Sequence, residues 1–138
     1  MTKWVSGIFF LCVLLAGCGK EQNLVPNVPV NFSAPLSDPR LLRLSSPGGA
    51  VVFTGYGVSG IVIYRTTAGG YEAYDRCSTV NPEKACAVEL DDPSFTATDP
   101  CSGAKYLLED GSPAKAPAKT SLRRYNTVIS GNSLQVTN

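Results

Sequence analysis

From Val30 onward, apolar residues come in short runs, and turn-forming residues separate them. The runs are Val30–Ser33, Leu41–Leu44, Ala50–Thr54, Ile61–Arg65, Tyr71–Asp75, Ala87–Leu90, Phe95–Thr98, Lys105–Leu108, Tyr125–Ile129 and Leu134–Val136. They are rich in Val, Ile, Tyr, Phe and Thr, side chains that suit a pleated, half-buried surface, so each predicts a strand. The separators include Ser46-Pro47-Gly48-Gly49, Gly69-Gly70, Asp110-Gly111 and Gly131-Asn132. Gly69-Gly70 suits the end of a hairpin loop, and Gly131-Asn132 a tight hairpin. Tyr71-Glu72-Ala73 alternates as a strand with one wet face does. No stretch after the first 18 residues carries a 3.6-residue period. The pattern predicts an all-β antiparallel sandwich or barrel of about ten short strands. Residues 112–121 contain no core-forming residue and read as surface coil. The expected large core side chains are Phe53, Tyr64, Tyr74, Phe95, Tyr106 and Tyr125.

The beginning of the chain follows different rules. Lys3 is followed by an apolar run from Gly7 to Ala16, closed by small residues. This is the layout of a secretory signal, and the run falls short of the roughly 20 apolar residues that span a bilayer. Leu15-Ala16-Gly17-Cys18 resembles the bacterial lipobox. The resemblance implies a signal peptide over residues 1–17, cleavage before Cys18 and acylation of its thiol. Each buried acyl CH₂ contributes roughly 0.8 kcal/mol, so two or three chains anchor a protein tightly. Residues 18–29 then read as a lipidated N-terminus and tether, reaching at most about 35 Å when extended. Residues 30–138 form the domain. Gly19, where an Asp would mark inner-membrane retention, favours the outer membrane if there is one.

Charge adds little further. Twelve basic residues stand against 11 acidic ones in 138 residues, a formal net charge of +1. Loss of Lys3 with the signal would balance them, so lipid rather than a basic patch would supply the anchoring. The balance also gives no sign of a nucleic-acid partner. The chain contains no His. That excludes Ser-His-Asp and Cys-His catalysis and any His-ligated metal centre.

Of five Cys, Cys77, Cys86 and Cys101 lie in the predicted domain, and sequence alone leaves all three single pairings open. These three with a carboxylate are zinc-type ligands, but no Cys-x-x-Cys spacing is present. Asp91-Asp92 with Asp99 lacks the spacing of a calcium loop and reads as solvated turn. Arg123 and Arg124, adjacent on a strand, point to opposite faces and make no shared patch. Gly55, Gly57 and Gly60 match a nucleotide-binding glycine spacing, but a strand follows them where a helix is needed, so they read as a β connection.

Ala73-Tyr74-Asp75-Arg76-Cys77, followed by Asp99-Pro100-Cys101-Ser102-Gly103-Ala104-Lys105-Tyr106, resembles a Rieske domain. In that family two loops carry Cys-x-His and Cys-Pro-x-His-Gly-Ser-x-Phe/Tyr. The tail agrees: Leu107-Leu108-Glu109-Asp110-Gly111, Pro117-Ala118, Leu122, Tyr125, Gly131, Leu134 and Val136 follow the family's ending. The resemblance covers about residues 30–138 and implies a Rieske-like β domain with its two loops at one end.

A Rieske centre is a two-iron cluster held by two Cys and two His. On this alignment the ligand positions are Cys77, Thr79, Asp99 and Ser102, so three of four are replaced. The expectation is that no cofactor is bound and that these positions are degenerate. The resemblance further implies a Cys86–Cys101 disulfide, because respiratory members tie the two loops together at these places; Cys77–Cys101 is the rival pairing. The disulfide would enclose about 15 residues, for which loop entropy gives roughly 3 kcal/mol. Cys77 is then a buried free thiol.

The resulting expectation is a lipid-anchored extracytoplasmic envelope protein, non-catalytic, that binds or supports an envelope protein partner. One alternative is a Rieske-type [2Fe-2S] electron-transfer protein. Another is a thiol/disulfide redox module using Cys77, Cys86 and Cys101, for which Arg76 beside Cys77 is the only hint.

Overall fold

A run such as Ile61-Val62-Ile63-Tyr64, apolar at every position, must bury both faces of its strand, and the architecture follows from that need. A computed structural model describes residues 24–138; the signal sequence, Cys18 and the first part of the tether lie outside the described residues. Ten strands form two antiparallel sheets: β1 (Asn31–Pro35), β2 (Ala50–Phe53), β3 (Ile61–Arg65), β4 (Tyr71–Asp75), β5 (Glu89–Leu90), β6 (Thr96–Thr98), β7 (Lys105–Leu107), β8 (Pro113–Lys115), β9 (Arg124–Ser130) and β10 (Ser133–Thr137). The larger sheet runs β1-β10-β9-β4-β3-β2 and the smaller β5-β6-β7-β8. The predicted all-β antiparallel architecture of about ten short strands is the one observed.

The two faces of β3 serve two cores. Ile61 and Ile63 join Phe32, Leu41, Leu44, Ala73, Leu134 and Val136 on one side. Val62 and Tyr64 join Tyr74, Tyr106 and Leu108 on the other, between the large sheet and the small one. Both predicted hairpins form: Arg65 pairs with Tyr71 across Gly69-Gly70, and Ser130 with Ser133 across Gly131-Asn132.

Four expectations need correction. Leu41–Leu44 is not a strand but lies in a 3₁₀ helix, Pro39–Ser45, capped by the Asp38 side chain, which accepts from Arg40 N. Pro39 sets the first-turn φ, and the i, i+3 spacing of Leu41 and Leu44 puts both on the buried face. Residues 112–121 are not all coil, because Pro113–Lys115 adds an edge strand to the small sheet through Lys105↔Lys115 and Tyr106↔Pro113. Edge position tolerates the proline. Phe95 is 52% exposed rather than core, and Phe32, which was not singled out, is buried instead, its ring centroid 4.6 Å from that of Phe53. β4 has no wet face at its end: Ala73, Tyr74 and Asp75 are all buried.

The strands give the domain two distinct ends. One carries Ile61, Asp75, Arg124 and Thr137; the other carries Arg65, Tyr71, Ser130 and Ser133. The chain enters at the first end, where Val25 is buried and its carbonyl accepts from Arg123 Nε at 2.8 Å. The Asn138 side chain donates to Val28 O and accepts from Val30 N there, both at 2.9 Å. Among the described residues no helix is long and apolar enough to cross a membrane.

Candidate functional site

Both loops at the Asp75 end are organised by buried carboxylates. Asp75, the last residue of β4, is fully buried and accepts four hydrogen bonds. Its Oδ2 receives Val58 N–H at 2.6 Å and the Tyr125 hydroxyl at 2.7 Å. Its Oδ1 receives Cys77 N–H at 2.8 Å and Ser59 N–H at 3.2 Å. The glycine-rich connection thus wraps an acid rather than a phosphate. Gly57 has φ +61°, and a Cβ there would lie 2.4 Å from Asp75 Oδ2, so the close approach requires glycine. Burial first, then the bond to Asp75 and its charge, push the Tyr125 phenol far up, which keeps it a donor.

Asp99 does the same for the second loop. Its Oδ2 accepts from Ser102 Oγ at 2.5 Å and Ser78 Oγ at 2.7 Å, and its Oδ1 from Cys101 N–H at 2.8 Å. Burial raises the Asp99 pKa. Bonds from Ser102, Ser78 and the Cys101 and Ser102 N–H groups outweigh burial and hold the carboxyl below its usual range. The network continues through the Tyr106 hydroxyl, 3.2 Å from Ser78 Oγ and 2.9 Å from Thr79 Oγ1. Thr79 Oγ1 donates to Thr120 O at 2.7 Å.

A disulfide joins Cys86 to Cys101 across the loops, with Cα atoms 6.3 Å apart. This is the pairing that the resemblance implied. Cys77 is free and buried, its Sγ 3.6 Å from both Ser78 O and Pro82 O. Burial, then the Asp75 charge, push its thiol pKa up, and Ser59 offsets only part of that. A buried thiol with a raised pKa is a poor nucleophile, which counts against the thiol redox reading. Arg76 does not activate it: its Nε donates to Val88 O at 3.0 Å. The expected result of a thiol titration on residues 19–138 is no fast reaction in the folded protein and one thiol per chain after unfolding without reductant. Rapid labelling of Cys77 in the folded state would show an accessible site.

The four positions aligned with cluster ligands therefore lie in one cap, but their polar atoms are committed to one another. Cys77 faces backbone carbonyls, and Asp99, Ser102 and Thr79 share a hydrogen-bonded network. No imidazole is present, and neutral hydroxyls are poor replacements at iron, so this donor set does not fit a Rieske cluster. Among the described residues one group has metal-ligand character and spacing, Cys86, Asp99 and Cys101, with ligand atoms within 4.8 Å of one another. Two of the three are disulfide sulfurs, not thiolates, and the thiolate is the ligand. Cys77 does not join them, so the zinc set considered above does not assemble.

The other candidates separate. Asp91 accepts from Thr96, Thr98 and Lys105 on the small sheet, apart from the Asp99 network. Arg124 pairs with Glu72, whereas Arg123 holds Val25. Sequence reasoning missed Asp75, Ser78 and the hydroxyl of Tyr106 as polar hubs. Tyr106 was legible only as a core ring, and nothing local marks a strand-end acid as buried.

No family model and no curated protein sequence matches the chain. Solved structures do. The plasma-membrane Rieske protein PetC3 of the cyanobacterium Synechocystis PCC 6803 superposes with a TM-score of 0.56 at 22% identity, covering 80% of this chain and 98% of that one. The ferredoxin of carbazole 1,9a-dioxygenase from Nocardioides aromaticivorans IC177 gives 0.50 at 18% identity, over 80% and 97% of the two chains. With the two-sheet topology and the loop pair at one end, these likenesses establish that the chain has a Rieske-like fold.

Proposed function

We propose that this chain is a lipid-anchored extracytoplasmic envelope protein whose Rieske-like domain holds no iron–sulfur cluster and serves as a non-catalytic binding or structural module for an envelope protein partner. The observation that carries the cluster-free reading is the Asp99 network. The residue at the second Cys position is a carboxylate that already accepts from Ser78, Ser102 and Cys101 N–H. A carboxylate so satisfied, beside hydroxyls at both His positions, supports a self-contained polar cap rather than a metal centre. The lipobox at Leu15–Cys18 supports the anchoring half of the reading, and Gly19 favours the outer membrane.

The test is iron content and a visible spectrum on protein isolated under mild conditions from its own envelope. The expected result is a folded, colourless, iron-free protein. About two irons per chain with visible colour would overturn the reading and make the chain a [2Fe-2S] electron carrier, the chemistry of a Rieske centre.

A further inference from the structure

We propose that the disulfide-capped end of the domain rests against the headgroup layer of the bilayer, with the two hairpin tips pointing away from it. This rests on the lipid-anchored reading and adds an orientation to it. Two independent observations carry it.

The first is where the chain enters. Val25 is 1% exposed and pinned by Arg123, which directly precedes β9 at the Asp75 end. Val28 and Val30 are tied there too, through Asn138. The domain is therefore held from its cap end, with no swivel between Val25 and β1. Leu24 lies six positions after Cys18, a reach of at most about 21 Å. Strands of five residues place the hairpin tips ~16 Å farther out.

The second is the chemistry of that end. Leu24, 70% exposed, lines a shallow and mostly apolar groove with Pro26, Val58, Pro82, Ala85 and one acid, Glu83. The groove lies on the first loop, fixed to the Asp75 end by Val58 N–H on Asp75 and by Ser59 Oγ on Ala85 O at 2.9 Å. Lys84, next in sequence to Glu83, places one charge of the opposite sign beside it. A small, apolar, nearly neutral tip at the root of a short acylated leash suits the lipid interface, where apolar contact adds to the acyl chains. The exposed Val128 and Ile129 lie toward the opposite end, beside the Ser130–Ser133 hairpin, and remain free for a protein partner.

The experiment uses the full processed protein in vesicles of phosphatidylethanolamine and phosphatidylglycerol containing a headgroup nitroxide lipid. A fluorophore is attached in turn through Lys84→Cys at the cap and Asn132→Cys at the hairpin tip, both exposed positions; buried Cys77 stays unlabelled. The proposal expects severalfold stronger quenching at position 84 than at 132. Equal quenching, or stronger quenching at 132, overturns the orientation while leaving the anchoring intact. Intact mass of the same protein reports acylation at Cys18; its absence overturns the anchored reading and the orientation with it.

Discussion

Asp75→Ala is expected to destabilise the domain by about 4 kcal/mol, a loss reserved for broken buried networks. The carboxylate is the common acceptor for three N–H groups and one hydroxyl, at Val58, Ser59, Cys77 and Tyr125. Removing it leaves four donors facing a void, and each buried unsatisfied donor costs about 1–3 kcal/mol before water or rearrangement compensates. Asp75→Asn is the finer probe. Each carboxylate oxygen accepts two bonds, so an amide NH₂ in either place confronts at least one N–H. The Tyr125 hydroxyl can turn to accept from the amide, so the conflict is smallest when the NH₂ replaces Oδ2. The expected cost is then about 2 kcal/mol, and Tyr125→Phe, which removes one bond, about 1 kcal/mol. Urea unfolding of the three variants checks the order. A loss under ~1 kcal/mol for Asp75→Ala would mean that the loops hold their shape without the acid.

Opening the Cys86–Cys101 disulfide comes next in size. The bond closes a separation of 15 residues, for which the loop-entropy relation gives about 3 kcal/mol and, in a domain near 100 residues, a fall in Tm of roughly 15 °C. The Cys86→Ser, Cys101→Ser double variant tests this without leaving reactive thiols. Thermal unfolding should show the shift. Native-state hydrogen exchange should show the loss concentrated in Cys101, Ser102 and Gly103, because Asp99 and its partners alone then retain the second loop. A variant as stable as the parent would assign the stapling to the polar network.

The parts of this fold that alternation and turn chemistry specify were legible. Ile61–Arg65 and Tyr71–Asp75 are strands with the predicted bounds because a Gly-Gly turn sits between two β-branched or aromatic runs. Leu41–Leu44 misled because four residues cannot distinguish one turn of 3₁₀ helix from a strand, and the deciding feature, Asp38 capping ahead of Pro39, lies outside the apolar run. β8 was hidden because its pairing comes from β7, with no apolar pattern of its own. At the site, the Cys positions were readable through resemblance, whereas the acids that organise the loops were not. Asp75 and Asp99 owe much of their roles to the donors Val58, Ser59 and Ser78, 16–21 positions away in sequence, and a single sequence does not register such partnerships.

The cap has a consequence for how the molecule is completed. Its two loops are joined by bonds among the chain's own atoms: a sulfur–sulfur bond, and oxygens of Ser78, Thr79, Asp99, Ser102 and Tyr106 bonded to one another. Closing the sulfur–sulfur bond needs an acceptor for the two electrons that leave the thiols of Cys86 and Cys101. This step of maturation is thereby tied to the redox poise of the compartment the chain reaches.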